Sequence, residues 1–325
     1  MERIHVAVGV IYNETQDSVL ISRRGGHQHL AGYWEFPGGK LHPGETTPQA
    51  LQRELQEELG IHVQTASPLM QVNYTYPDKQ VLLDVYTVQK WQGRAQGVEQ
   101  QEIKWVALQQ LKQVNFPAAN RRIVTRLLLP DACVISRSTN PDIDTIRQII
   151  TECQHLPMLQ LRLENNDHEY LTDIIKRIQE DNTEGKLQLV LNGVPEDSEK
   201  YHLHGVHLKA HRLFEYAGRP LSDDYILGAS CHNEEELEQA QKLDVDYVFI
   251  SPVKNTATHP DVAPLGWQAF MGLCAKSSKP VYALGGIQPG DLAIARQHGA
   301  TGIAMIEAVW GSKDPCAVLR SLLAN

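Results

Sequence analysis

Between Gly39 and Ile61 the chain carries Gly39-Lys-Leu-His-Pro-Gly-Glu45, seven further residues, and then Arg53-Glu54-Leu55-Gln56-Glu57-Glu58-Leu59-Gly60-Ile61. Ala50, Leu51, Leu55 and Leu59 recur at helical spacing, which predicts an amphipathic helix over about Pro48 to Leu59. Thr46 or Thr47 can cap its start, Pro48 suits the first turn, and Gly60 suits a left-handed stop. On that helix Glu54, Glu57 and Glu58 stand at i, i+3 and i+4 and share one face. Stacked like charges cost a few tenths of a kcal/mol per pair, and more when desolvated. A cation must compensate them, and hard oxygen donors select Mg²⁺ or Mn²⁺. A merely solvated acidic face would not require Glu45, Arg53 and the glycines at these offsets.

The spacing satisfies every fixed position of the Nudix box. Residues 1–129 therefore resemble the Nudix hydrolases, and within them the MutT (8-oxo-dGTP diphosphatase) type. Further matching stretches are Ile4 to Ile11, Ser22-Arg23-Arg24, Trp34 to Lys40, Tyr76-Pro77-Asp78 and Asn115-Phe-Pro-Ala-Ala-Asn120. The resemblance implies that the Gly38 carbonyl, Glu54, Glu57 and Glu58 hold the metal. Glu54 would also deprotonate or orient the attacking water, and Arg53 would orient the glutamates. Glu99 is expected to supply a further acidic group, with Glu102 close enough in sequence to take that part. Substrate contacts are expected from Arg24, His29, Glu35, Phe36, Pro37, Gly38 and Asn120. The Asn120 amide offers a donor and an acceptor to an oxidised guanine, although an Asn so placed also reads as a helix cap. The implied reaction is water attack at the β-phosphorus of a nucleoside triphosphate, releasing a monophosphate and pyrophosphate.

At 325 residues the chain exceeds one ordinary core. Its second part, residues 130–325, alternates short apolar strands with helical patterns. The strands read Ala132–Ser136, Met158–Leu163, Leu187–Asn192, Gly205–Leu208, Ile226–Cys231, Tyr247–Val253, Val281–Gly285 and Gly302–Glu307. The helices read 142–153, 168–180, 233–243, 289–298 and 314–323. This alternation predicts a (β/α)₈ TIM barrel with function on the loops after the strands. The expected fold class is α/β throughout, a Nudix α/β/α sandwich with a mixed sheet followed by the barrel.

Leu159-Gln-Leu-Arg162, Gly205-Val-His-Leu208, Gly228-Ala-Ser-Cys-His232, Tyr247 to Val253 and Leu284-Gly-Gly-Ile287 resemble the thiamin phosphate synthase and TenI superfamily. That resemblance implies a ligand site at Arg162, Asn192, Ser230, His232, Thr256, Thr258, Gly285 and Gly286, holding a phosphorylated thiazole-type ligand. His232 is the expected proton-transfer group. The chain departs from the synthase pattern at Leu163-Glu164, at Gly193 and at Lys209-Ala-His-Arg212, where a lysine and acidic Mg²⁺ ligands belong. Full synthase activity is therefore not expected, whereas a TenI-like, phosphate-binding or sensing barrel is. His202, His204, His207 and His211 straddle strand 4, where alternation separates neighbours, so they read as structural or barrel-mouth histidines.

The chain is 42% hydrophobic and 21% charged, as expected of a globular protein. No apolar run reaches membrane-span length, and the start lacks a signal-peptide core. The five cysteines show no metal-type pairing and read as reduced thiols of a cytoplasmic protein. A net charge of −9 disfavours nucleic-acid binding. Two rivals remain to a nucleotide-pool sanitising hydrolase. One has the first domain cleave a thiamin-pathway diphosphate, and the other makes the barrel a regulatory sensor.

Overall fold

The first part of the chain forms a mixed sheet because its central strand is apolar on both faces. The computed structural model describes residues 3–25, 30–139, 142–153, 158–163, 168–183, 187–256 and 262–324. The chain divides into two units, Met1–Leu128 and Leu129–Asn325.

Unit one runs β1 (Arg3–Ile11), β2 (Ser18–Arg23), β3 (Trp34–Glu35), β4 (Gly38–Lys40), α1 (Thr47–Leu59), β5 (His62–Thr75), β6 (Gln80–Gln92), β7 (Ile103–Ala107) and α2 (Ala118–Leu128). One sheet has the order β4-β1-β6-β5, with β1 parallel to β6 and the other pairs antiparallel. A second, antiparallel sheet has the order β3-β2-β7. Alternation along β1 sends Ala7 and Ile11 into the cluster with Leu51, Leu55 and Leu59 of α1. Val8 and Val10 go to the opposite cluster with Phe36, Phe116 and Ile123. Gly9 lies under α1, where an added Cβ would stand 3.1 Å from Leu55 Cδ1. The sheet is thus sandwiched, and α1 is pressed onto it by its leucines with its glutamates turned away.

Unit two runs β8 (Ala132–Ile135), α3 (Ile143–Glu152), β9 (Met158–Leu161), α4 (His168–Asp181), β10 (Gln188–Asn192), α5 (Asp197–Lys200), β11 (Gly205–Leu208) and β12 (Ile226–Cys231). It continues with α6 (Glu234–Lys242), β13 (Tyr247–Ile250), α7 (Gly266–Lys276), β14 (Val281–Ala283), α8 (Leu292–Gln297), β15 (Gly302–Met305), α9 (Glu307–Trp310) and α10 (Pro315–Arg320). Strands β8 to β15 are parallel and close a barrel, β15 pairing with β8. Both faces are buried: Ala132 and Val134 pack outward, Cys133 and Ile135 inward with Tyr247, Phe249 and Tyr282.

Two expectations need correction. Cys153 and Cys316 are not free thiols but form a disulfide, with Cα atoms 5.7 Å apart. Cys153 ends α3 and Cys316 lies in α10, so the packing of first helix against last brings together residues 163 apart in sequence. The helix expected at 289–298 is a short 3₁₀ turn, Pro289–Asp291, leading into α8.

Candidate functional site

Helix α1 sets the first site. Thr46 lies at its N-cap, where its backbone N–H donates to Gln49 Oε1 at 2.9 Å, and Gly60 ends it at φ 67°. Arg53 projects from this helix and spends its whole guanidinium on local acceptors. Nε and Nη2 donate to the two Glu45 oxygens at 2.8 and 2.9 Å. Nη1 donates to Glu54 Oε1 at 2.7 Å and Glu57 Oε2 at 3.1 Å, and Nη2 also reaches the Lys40 carbonyl at 3.0 Å. This forked pairing holds Glu45 down to about 2.

Glu54, Glu58, Glu99, Glu35 and Gly38 line one cavity of about 510 Å³, together with Arg24, Phe36, Lys40, Tyr76, Lys79 and Asn120. Glu58 Oε2 accepts from the Gly38 N–H at 3.1 Å. Burial, followed by the charges of Glu35, Glu54 and Glu99, pushes Glu58 up to about 8, against the opposing pull of the Gly38 bond. Glu35 is raised to about 7 by burial, opposed by its ion pair with Arg24. The Glu58 carbonyl anchors the following loop by accepting from Val98 N at 2.9 Å and Gln101 Nε2 at 2.8 Å. That places Glu99 at the cavity, whereas Glu102 pairs with Arg23 at 3.1 Å.

Gly38 has φ 140°, and a Cβ there would collide with the Ala7 carbonyl; one at Gly39 would collide with the Glu54 carboxylate. Asn120 is not a helix cap. It sits inside the first turn of α2, 7% exposed, and its Oδ1 accepts from the Phe36 N–H at 3.2 Å. Phe36 in turn stacks on Phe116, ring centroids 5.3 Å apart. The Asn120 amide oxygen is thus engaged by the Phe36 N–H. Pro37 is buried, and its carbonyl accepts from Gly9 N at 2.8 Å.

Glu57 is the member of the predicted metal set that does not line the cavity; it is half exposed and turned to Arg53. Among the described residues no three acidic, His or Cys side chains already converge on one point. The donor set nonetheless fits a divalent ion, because Glu54, Glu58 and Glu99 bring hard carboxylate oxygens to one cavity, and the charges of Glu54 and Glu99 add to the burial that raises Glu58. His29 lies outside the described residues. Lys79 and Tyr76 line the same cavity, with Lys79 Nζ 5.8 Å from the Tyr76 ring centroid. The lysine was missed because a single cation between two strands carries no sequence signal.

The barrel has its own cavity at the C-terminal ends of its strands, about 430 Å³, lined by Arg162, Asn192, Ser230, His232, Thr256 and Gly285 of the predicted set. Gly286 lines a neighbouring cavity of about 240 Å³ with Thr256 and Gly285. Thr258 lies outside the described residues. His232 Nδ1 is 3.0 Å from Glu236 Oε2, a partner the sequence left unassigned. The four histidines around β11 do not converge. His207 is fully buried in the barrel, between Tyr247 Oη at 3.1 Å and Ser230 Oγ at 2.8 Å, and burial lowers it to about 3. His204 Nδ1 accepts from Leu189 N at 3.1 Å, and His211 lines the mouth.

No helix among the described residues is long and apolar enough to cross a membrane. A family model described as a NUDIX domain matches residues 7–126, and one described as Thiamine monophosphate synthase matches residues 132–309. The 8-oxo-dGTP diphosphatase of Escherichia coli (strain K12) is 40% identical over 127 residues, covering 39% of this chain and 98% of that protein. The thiamine-phosphate synthase of Synechococcus sp. (strain CC9605) is 32% identical over 197 residues, 60% of this chain. The match covers 56% of that synthase, so the chain spans about half its length. A solved thiamine phosphate pyrophosphorylase from Pyrococcus furiosus shares the barrel fold at TM-score 0.50 and 21% identity, covering 61% of this chain and 95% of that one. The chain therefore belongs to the thiamine monophosphate synthase family through its second unit, which it joins to a Nudix domain of the 8-oxo-dGTP diphosphatase (MutT) family.

Proposed function

We propose that the chain is a Mg²⁺-dependent hydrolase converting 8-oxo-dGTP to 8-oxo-dGMP and pyrophosphate. The observation that carries this is the single cavity that Glu54, Glu58 and Glu99 share with Asn120 and Phe36. A bound divalent ion would neutralise the phosphates and make the β-phosphorus open to attack. Glu54, Glu58, Glu99 and the Gly38 carbonyl would hold it, with Glu57 joining by leaving Arg53. Glu54 Oε1 is fixed by Arg53, which leaves Oε2 to take the proton of the attacking water. The new oxygen–phosphorus bond forms as the β-phosphorus separates from the oxygen of the departing monophosphate. The Asn120 amide and the Phe36 backbone would read the base, and Arg24, paired to Glu35, would border it.

For the barrel, we infer a binding role for a phosphorylated, thiazole-type ligand at the mouth lined by Arg162, Ser230 and His232. The test measures products from 8-oxo-dGTP, dGTP and thiamin diphosphate. Release of pyrophosphate from 8-oxo-dGTP well ahead of dGTP is expected. A preference for thiamin diphosphate would replace this reading by one in which both units serve thiamin-type substrates.

A further inference from the structure

A barrel of this family that processes a diphosphate substrate needs carboxylates to hold a divalent ion, and the described residues at the mouth of this one supply none. Among the described residues lining the 430 Å³ cavity none is Asp or Glu. After β10, Asn192 is followed by Gly193, and the nearby Asp197 carboxylate accepts instead from the Val194 N–H at 2.9 Å. After β11, where a metal ligand would be expected, Lys209 and His211 stand exposed at the rim of the cavity. Arg162 enters from the end of β9, its backbone N–H held by Ser136 Oγ at 2.8 Å. Among the described residues, cations rather than carboxylates thus stand at the rim.

The floor is polar in a different way. Gln160 is 2% exposed, lines the cavity, and its Oε1 has no hydrogen-bond partner, which costs on the order of 1–3 kcal/mol until something supplies one. Ser230 Oγ lies 2.8 Å from Nε2 of the buried His207, whose Nδ1 is 3.1 Å from Tyr247 Oη. Phe249 and Ile135 provide apolar wall between these groups. A flat ring with a polar edge suits the floor, and an anion suits the rim.

We infer that the barrel mouth holds a phosphate monoester of a heteroaromatic compound through Lys209, with Arg162 and His211, in place of a carboxylate-bound divalent ion. The inference rests on the reading of the barrel as a phosphorylated-ligand site. It adds that binding is independent of metal and that Lys209 senses the phosphate. Ammonium and guanidinium groups bind phosphate oxygens directly, so no cation bridge is required.

The test is calorimetric titration of the full-length protein with thiamin monophosphate and with unphosphorylated thiamin, each in Mg²⁺ buffer and in EDTA. Thiamin monophosphate should bind alike in both buffers and thiamin more weakly. Lys209→Gln, an exposed substitution that leaves the core intact, should weaken thiamin monophosphate about tenfold and leave thiamin unchanged. Binding of thiamin monophosphate only in Mg²⁺, or an unaltered affinity in Lys209→Gln, overturns the inference and leaves the barrel reading standing. Failure of both probes to bind overturns both together.

Discussion

Glu58→Gln should flatten the fall in stability that the metal-free protein shows as pH rises. The Glu58 carboxyl is held at about 8, against an ordinary 4.5, by burial and by Glu35, Glu54 and Glu99. Between those two values the folded protein binds a proton that the unfolded chain has released, so stability declines as pH rises through the window. At about 1.4 kcal/mol per pH unit the shift sets a ceiling near 5 kcal/mol. Solvent reaching the partly open side chain, and co-titration of Glu35, reduce the expected share of Glu58 to about 2 kcal/mol. The assay is urea unfolding in EDTA at pH 5 and pH 8, wild type against Glu58→Gln. The wild type should lose more stability across that interval by about 2 kcal/mol, and Mg²⁺ should erase much of the difference by favouring the ionised form. An identical pH slope in the two proteins would refute the claim that burial, with the neighbouring carboxylates, raises Glu58 in the folded state.

Further outcomes are expected from other parts of the fold. Asn120→Ala should lower the preference for 8-oxo-dGTP over dGTP while leaving the Mg²⁺ dependence of the rate unchanged; equal selectivity would remove Asn120 from base reading. Arg53→Lys should lower kcat by about 10–100-fold with KM nearly constant, because an ammonium cannot replace the fork that holds Glu45, Glu54 and Glu57. Full activity in that variant would show that a point charge suffices. Leu55→Ala should cost about 2–5 kcal/mol in chemical unfolding, since Leu55 is fully buried against the sheet. Reduction of Cys153–Cys316, or Cys316→Ser, should lower barrel stability by up to roughly 5 kcal/mol, the loop-entropy limit for a closure of this length. Non-reducing peptide mapping that finds both thiols free would contradict the bond itself.

Elements fixed by local periodicity were legible in the sequence. The helix expected over Pro48 to Leu59 is Thr47–Leu59, because its leucines and Gly60 mark both its inner face and its end. Seven barrel strands begin where the apolar runs begin, and β10 begins one residue later, at Gln188. They end early where the run continues past the ladder, as when Tyr247 to Val253 shortens to Tyr247–Ile250 before the Ser251-Pro252 step. Candidate site residues were legible where a motif names them, and Glu54, Glu58 and Asn120 do line one cavity. What escaped depends mostly on contacts distant in sequence: Asn120 Oδ1 is taken by the Phe36 N–H, and Cys153 meets Cys316 across the closure of the barrel. Spacing along the chain records neither, since each is decided by which surfaces pack together, whereas the pairing of Glu57 with Arg53 is an i,i+4 contact within α1.

An arginine with every donor engaged has nothing left to offer an incoming polyanion. Helix α1 thus presents its nucleotide cavity with negative charge alone, and attraction must arrive from Lys40, Lys79, Arg24 or a mobile counterion. Capture of substrate should therefore rise with added Mg²⁺ and fall with monovalent salt at the same ionic strength, which only screens the lysines and arginine. The helix behaves as a loaded cradle whose affinity is set by the electrolyte around it.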